Sequence, residues 1–134
     1  MNNISIIPIK NLPEFEPKYD LADEIVKSFS SNNFVLEDKD VIVITQKIVS
    51  KVEDRLIKND KESIEKLIQQ ESLEILRKRG DTVIARTKHG FICANAGIDK
   101  SNIEKGSVLL LPEDPDKTSS CLLYTSDAAD EVLG

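Results

Sequence analysis

The sequence predicts an α+β domain, a mixed sheet with covering helices. Three observations carry that reading. Short β-branched runs recur along the chain, at Ile4–Ile9, Val41–Thr45, Thr82–Arg86, Phe91–Asn95 and Gly106–Leu111. Two other segments place apolar residues at helical spacing. The two kinds of segment mix without the strict β-α-β rhythm of a doubly wound sheet, and no internal repeat is present.

Taken in order, Ile4–Ile9 is apolar and β-branched and reads as a first strand, with Pro8 suggesting an edge position or a strand end. Asn11–Pro17 contains two prolines and reads as a loop. Leu21, Ala22, Ile25, Val26 and Phe29 follow helical spacing, with Asp20 as N-cap and a stop before Asn32-Asn33. Glu37–Asp40 is a charged turn. Val41–Thr45 reads as a buried inner strand, covered on both faces because it lacks alternation. Gln46–Val52 follows directly. Lys61–Arg79 reads as the longest helix, with Ile64, Leu67, Ile68, Ile75 and Leu76 on one side and Gly80 as its left-handed stop. Thr82–Arg86 and Phe91–Asn95 form a hairpin around Lys88-His89-Gly90, the second strand lying inside the sheet. Gly106–Leu111 is the last strand, closed by Pro112.

Composition narrows the function. The chain has 134 residues, 40% hydrophobic and 31% charged, enough for one domain or a piece of a larger one. A net charge of -6 argues against a basic nucleic-acid footprint. No apolar run is long enough to cross a bilayer, and the N-terminus lacks the pattern of a signal peptide. Two cysteines, Cys93 and Cys121, make neither a disulfide framework nor a metal-ligand spacing. The cytoplasm is the expected location.

The five glycines form no Walker loop and no dinucleotide fingerprint. Thr45–Lys51 follows a strand-like run and offers hydroxyls, backbone N–H groups and two lysines that could hold phosphate. Its plain alternative is a solvated basic start to the next element. Asn95–Asn102 brings Asp99, Ser101 and Asn102 together after a strand end. A lone carboxylate such as Asp99 can bind a hard cation that keeps water and phosphate oxygens as its other ligands. Equally, Asp99 and Asn102 could bond to nearby backbone in an Asx-type turn. His89 reads as a turn residue, Cys93 as a small buried hydrophobe, and Asp114-Pro115-Asp116 as a polar turn or additional carboxylates near a metal.

Four separated motifs carry a family resemblance: Leu12-Pro13-Glu14, the Val-Ile-Thr-Gln-Lys-Ile-Val-Ser-Lys run ending at Lys51, the His-Gly-Phe-Ile-Cys-Ala-Asn-Ala-Gly-Ile-Asp run ending at Asp99, and Leu-Leu-Leu-Pro-Glu-Asp-Pro-Asp ending at Asp116. In order and spacing, over residues 4–118, they resemble the coenzyme F420-0:L-glutamate ligase family. The resemblance implies a GTP-dependent ligase that joins L-glutamate to the deazaflavin precursor coenzyme F420-0 through an acyl phosphate. It implies Mg²⁺ or Mn²⁺ as cofactor, with K⁺ as a further candidate, and a homodimer for the full-length enzyme. Carried over by motif, Asp99 becomes a divalent-metal ligand, Asn102 a GTP contact and Lys51 a phosphate contact. Gln46 and Lys47 supply groups beside Lys51, and Leu12-Pro13 forms another wall of the nucleotide site. Neither nucleic acid nor membrane is implied as a partner. The alternatives are a ligase-like protein acting on another carboxylate, and a non-catalytic nucleotide-binding or interaction module.

The sequence departs from the family pattern in places. Asn11 stands where glycine usually precedes Leu-Pro, and Lys18-Tyr19 replaces Gly-Asp before the first helix. The family's later Asp-Thr metal motif has no match. Residues 1–120 are therefore expected to be the incomplete N-terminal portion of a larger ligase fold, inactive by itself. Cys121–Glu131 looks like translated read-through of a sequencing-library adaptor, so residues 121–134 are expected to be non-native and poorly packed. Without that tail the net charge rises from -6 to -3.

Overall fold

The computed structural model describes residues 3–58, 64–101 and 106–133, with the backbone alone described for 125–133. The α+β expectation holds: among the described residues four α-helices accompany two small antiparallel sheets. No helix among the described residues is long and apolar enough to cross a membrane.

Helix α1 (Leu21–Ser31) begins where Asp20, in extended conformation, accepts a 3.0 Å bond from the Asp23 N–H. Its Leu21, Ile25 and Phe29 recur every four residues and bury against Phe15 to form a first core. Asn32 ends the helix. Its carboxamide donates to Ser28 O (2.6 Å) and Lys10 O (2.9 Å) and accepts from Lys10 N (3.3 Å), so the N-terminal segment is clasped to the helix end.

The chain then passes the predicted Glu37–Asp40 turn, where Glu37 N bonds Asp40 Oδ2. It reaches α2 (Gln46–Val52) and β1 (Leu56–Lys58). Helix α3 (Ile64–Glu71) buries Leu67 and Ile68. Strands β2 (Ser72–Arg79), β3 (Thr82–Thr87) and β4 (Ile92–Ala94) form an antiparallel sheet in that order. Val83, Ala85, Ile68 and Ala96 make a second core under it. Strand β5 (Ser107–Leu109), buried throughout, pairs with β1 through Leu56–Leu109, Ile57–Val108 and Lys58–Ser107. Helix α4 (Pro115–Leu133) closes the chain, started by Asp114 accepting from Lys117 N at 2.9 Å.

Four sequence expectations are corrected. Lys61–Arg79 is not one helix. Lys61 to Ser63 lie outside the described residues, and after Glu71 the chain turns into β2. The Ser72 hydroxyl donates to Ile68 O at 2.5 Å, ending the helical turn, and the remaining backbone ladders onto β3. Six paired positions and a tight turn at Gly80 (φ 57°) outweigh helical spacing. Ile75 and Leu76 consequently stay half exposed, at 45% and 41%.

Val41–Thr45 forms no strand, and neither does Ile4–Ile9. Among the described residues neither segment has a neighbour to pair its backbone, which a strand requires. Val41 and Val43 are 83% and 87% exposed, while Ile44 packs on the first core. The alternation of a strand is thus present without its ladder. The segment forms one wall of a largely apolar cleft of about 910 Å³, shared with α1, α4 and the His89–Phe91 turn.

The hairpin expectation holds, but among the described residues its second strand is not an inner one: β4 lies at the sheet edge, paired with β3 alone. Gly90 (φ 86°) permits the turn, with Gly90 N on Thr87 O at 2.9 Å and Thr87 N on Phe91 O at 2.8 Å. Phe91 itself lies just before β4 and is 58% exposed.

Candidate functional site

Helix α2 is the platform. It starts from extended Thr45 and ends at Glu53, whose N–H bonds Val49 O, and Asp54 (φ 58°) turns the chain back. Lys47 and Lys51 lie one turn apart and so share a face. Ser50 is fully buried, and Gln46 and Val49 line the apolar cleft instead.

Each lysine meets a carboxylate from a distant loop. Lys47 Nζ lies 2.8 Å from Asp99 Oδ2 and donates to Ser101 O at 2.8 Å and Ser101 Oγ at 3.2 Å. Asp99 is further held by the Ser101 N–H and hydroxyl, both 2.7 Å from Oδ1. This is an Asx-type turn with a lysine added. The backbone of Asp99 is fixed as well: its N–H bonds Leu109 O at 2.9 Å, and Leu109 N bonds Asp99 O at 2.8 Å. Leu109 is therefore paired on one side with β1 and on the other with Asp99. The Lys47 hydrogen bond, then the Ser101 hydroxyl and N–H, hold the Asp99 carboxyl down at about 2 against the opposing effect of burial. Asp99 is ionised throughout the neutral range.

Lys51 forms an ion pair and hydrogen bond with Glu14, which lowers the Glu14 carboxyl below its ordinary value. Glu14 follows Leu12, which is exposed, and Pro13, which is half-buried, and it precedes the core residue Phe15. The loop is thus pinned beside α2 by an apolar anchor. Its second tie is Lys18 N on Val52 O at 3.1 Å. Both departures from the family's glycines fall on left-handed backbone, Asn11 at φ 62° and Lys18 at φ 68°. Asparagine tolerates that conformation well, and lysine adopts it with strain.

The structure therefore brings Lys47, Asp99 and Ser101 into direct contact and sets Lys51 one turn further along the same helix, against the Leu12–Glu14 loop. Gln46 stands apart, on the cleft side. Asn102 lies outside the described residues. Sequence reading assigned no role to Glu14 as the partner of Lys51, because the two are 37 positions apart with no shared pattern. Among the described residues no group of three or more His, Cys, Asp or Glu side chains could enclose a metal. A single ionised carboxylate still suits a hydrated Mg²⁺ or Mn²⁺ that takes its remaining ligands from water and phosphate.

The other candidates take the plainer roles. His89 is a turn residue, its Nε2 3.0 Å from Glu113 O and its ring stacked on Phe91. Burial pushes the Cys93 thiol up, which disfavours a nucleophile. Asp114 caps α4.

Comparison with known proteins agrees with this arrangement of motifs. A model of the F420-0:gamma-glutamyl ligase family matches residues 10–125. The coenzyme F420:L-glutamate ligase of Methanothermobacter thermautotrophicus is 34% identical, the alignment covering 94% of this chain and 57% of that protein. The ligase of the same name from Methanococcus maripaludis strain S2 is 41% identical over 66% of this chain and 42% of its own length. That of Methanocaldococcus jannaschii is 38% identical over 64% and 41%. The chain thus spans about half the length of the curated relatives it matches. On the family match and these relatives, the chain belongs to the F420-0:gamma-glutamyl ligase family.

Proposed function

We propose that this chain supplies the phosphate-binding and metal-anchoring part of a GTP-dependent ligase that adds L-glutamate to coenzyme F420-0. The observation that supports the reading best is the pairing on α2: two lysines on one helical face, one of them locked to an ionised Asp99. In the proposed reaction the F420-0 carboxylate attacks the γ-phosphorus of GTP, and GDP leaves. The glutamate amine then attacks the acyl carbon, and phosphate leaves as the amide bond forms.

Lys51 holds a phosphate oxygen and offsets charge that grows on the transferring group. Lys47 orients Asp99 and keeps it ionised. Asp99 would hold Mg²⁺ or Mn²⁺, which when bound would neutralise phosphate charge. Leu12 and Pro13 form a wall of the nucleotide site, Asn102 contacts the nucleotide, and Gln46 is a more distant contributor. The full-length enzyme is a cytoplasmic homodimer in this reading. The one Asp-Thr pair in the sequence, Asp81-Thr82, opens β3 and has no assigned part in the site, so the chain is expected to bind GTP weakly without turning it over. A second reading is a nucleotide-binding module without catalysis.

Calorimetric titration of the chain with GTP and Mg²⁺ tests the site. Lys51→Met and Asp99→Asn should each weaken binding about tenfold or more, the scale of a lost charged hydrogen bond. Equal binding by wild type and both variants would overturn the assignment. With the full-length protein, mass-spectrometric detection of glutamylated F420-0 distinguishes ligase from binding module, and another carboxylate substrate would be revealed by competition.

A further inference from the structure

We propose that Glu14 is an internal counter-ion for Lys51, held there until a polyphosphate displaces it. This inference rests on the nucleotide reading above and adds a residue that sets affinity. The two lysine–carboxylate pairs on α2 are built differently. Asp99 is 30% exposed and is held by Lys47, by two bonds from Ser101 and by its own backbone on Leu109. Glu14 is 81% exposed, and among the described residues Lys51 is its only polar partner. Lys51 is the reverse, 20% exposed on a rigid helix. One member of the pair is fixed and largely covered, and the other is free to rotate into water.

An exposed pair of this kind is weak, since solvent screens it and ordering two long side chains opposes it. A triphosphate brings several negative charges and more acceptor oxygens to the same ammonium. Leaving Glu14 in place beside it would set like charges together, so the carboxylate must swing out as the anion arrives. Phe15, buried next door, keeps the loop backbone where it is while this happens. Before binding, the four side chains Lys47, Lys51, Asp99 and Glu14 sum to no net charge. With Glu14 turned away the face is positive. Glu14 therefore lowers the affinity of every anion that must displace it, polyphosphates included, and so sets how tightly the face holds phosphate.

Isothermal titration of the chain with tripolyphosphate in divalent-free buffer tests this. The variants are Glu14→Gln, Lys51→Met, the double variant, and Glu16→Gln as a control for charge alone. Glu14→Gln should tighten binding roughly 2- to 5-fold, the range of an exposed ion pair. Glu16→Gln should change it less, and the gain should vanish in the Lys51→Met background. Weaker binding by Lys51→Met with no gain from Glu14→Gln would overturn the counter-ion role and leave the phosphate reading standing. An equal gain from Glu16→Gln, or a gain that survives loss of Lys51, would also overturn it. Indistinguishable wild type and Lys51→Met, or no binding by any variant, would overturn both.

Discussion

Two β-branched segments of the chain end in opposite states. Thr82–Thr87 is flanked by β2 and β4, buries Val83, Ala85 and Thr87, and forms the centre of a sheet. Val41–Ile44 is at least as apolar, yet it forms no strand and leaves Val41 and Val43 exposed. The difference does not lie in propensity. It lies in partners: β3 has a hairpin turn on each side that delivers a neighbour within a few residues, while Val41–Ile44 lies between a charged turn and a helix. A strand is a property of a pair of segments, and local sequence reports only one of them.

The sharpest test of that contrast is to place a charge in each segment. Ala85, with no exposed surface, should not tolerate it: Ala85→Asp should cost roughly 3–5 kcal/mol by urea denaturation, through a buried unpaired carboxylate in a packed sheet. Val43→Asp should stay within about 0.5 kcal/mol. A large loss at Val43 would show that the segment is covered after all and would break the comparison.

A second test removes the clamp that holds the hairpin region to β1 and β5. Arg55 donates from Nε to Leu111 O at 2.9 Å and from Nη2 to Glu71 at 2.8 Å, and Lys88 approaches Glu71 at 3.5 Å. Glu71 is only 12% exposed, so Glu71→Ala should cost about 2 kcal/mol at neutral pH. Loss of the Arg55 protection pattern in hydrogen exchange would assign the cost to this clamp.

The third concerns Asp99, which ties α2 to β5 through Lys47 and Leu109. Its folded value of about 2 lies below the ordinary 3.8. A lowered carboxylate stabilises the fold above its unfolded value, and that contribution is lost as pH falls toward the folded value. In metal-free buffer the wild type should exceed Asp99→Asn by about 1 kcal/mol at pH 6, the full shift being discounted for partial exposure. The gap should close between pH 4 and pH 2. A gap that persists at pH 2 would assign the difference to packing.

The smallest effect belongs to the first loop. Lys18→Gly relieves left-handed strain while adding freedom to the unfolded chain, for a net gain of about 0.5 kcal/mol. A loss on this substitution would mean that the side chain of Lys18 contributes more than its backbone costs.

Much of the local structure was legible in the sequence. The cap, stripe and stop of α1 were readable because all three are short-range, and so was the Lys88–Gly90 turn. The helix proposed through Arg79 failed because Ile75 and Leu76 fit a helical stripe as well as an exposed strand, and only β3 decides between them. The candidate site was legible as motifs. Lys47, Lys51 and Asp99 were named from sequence, but their arrangement on α2, and Glu14 as a partner, depend on contacts 37 to 54 positions apart. No periodicity records such distances.

The double pairing of Leu109 has a consequence for how this site can change over generations. The position of Asp99 is set by two main-chain bonds to Leu109 that any non-proline residue could make. Its charge is set by one side chain. Placement and chemistry are therefore inherited separately, and a single base change from an aspartate to an asparagine codon removes the charge without moving the backbone. A gene freed from its reaction could lose the chemistry in one step and keep the architecture. An Asn at this position in a relative would keep the pairing with Leu109 and lose the charge.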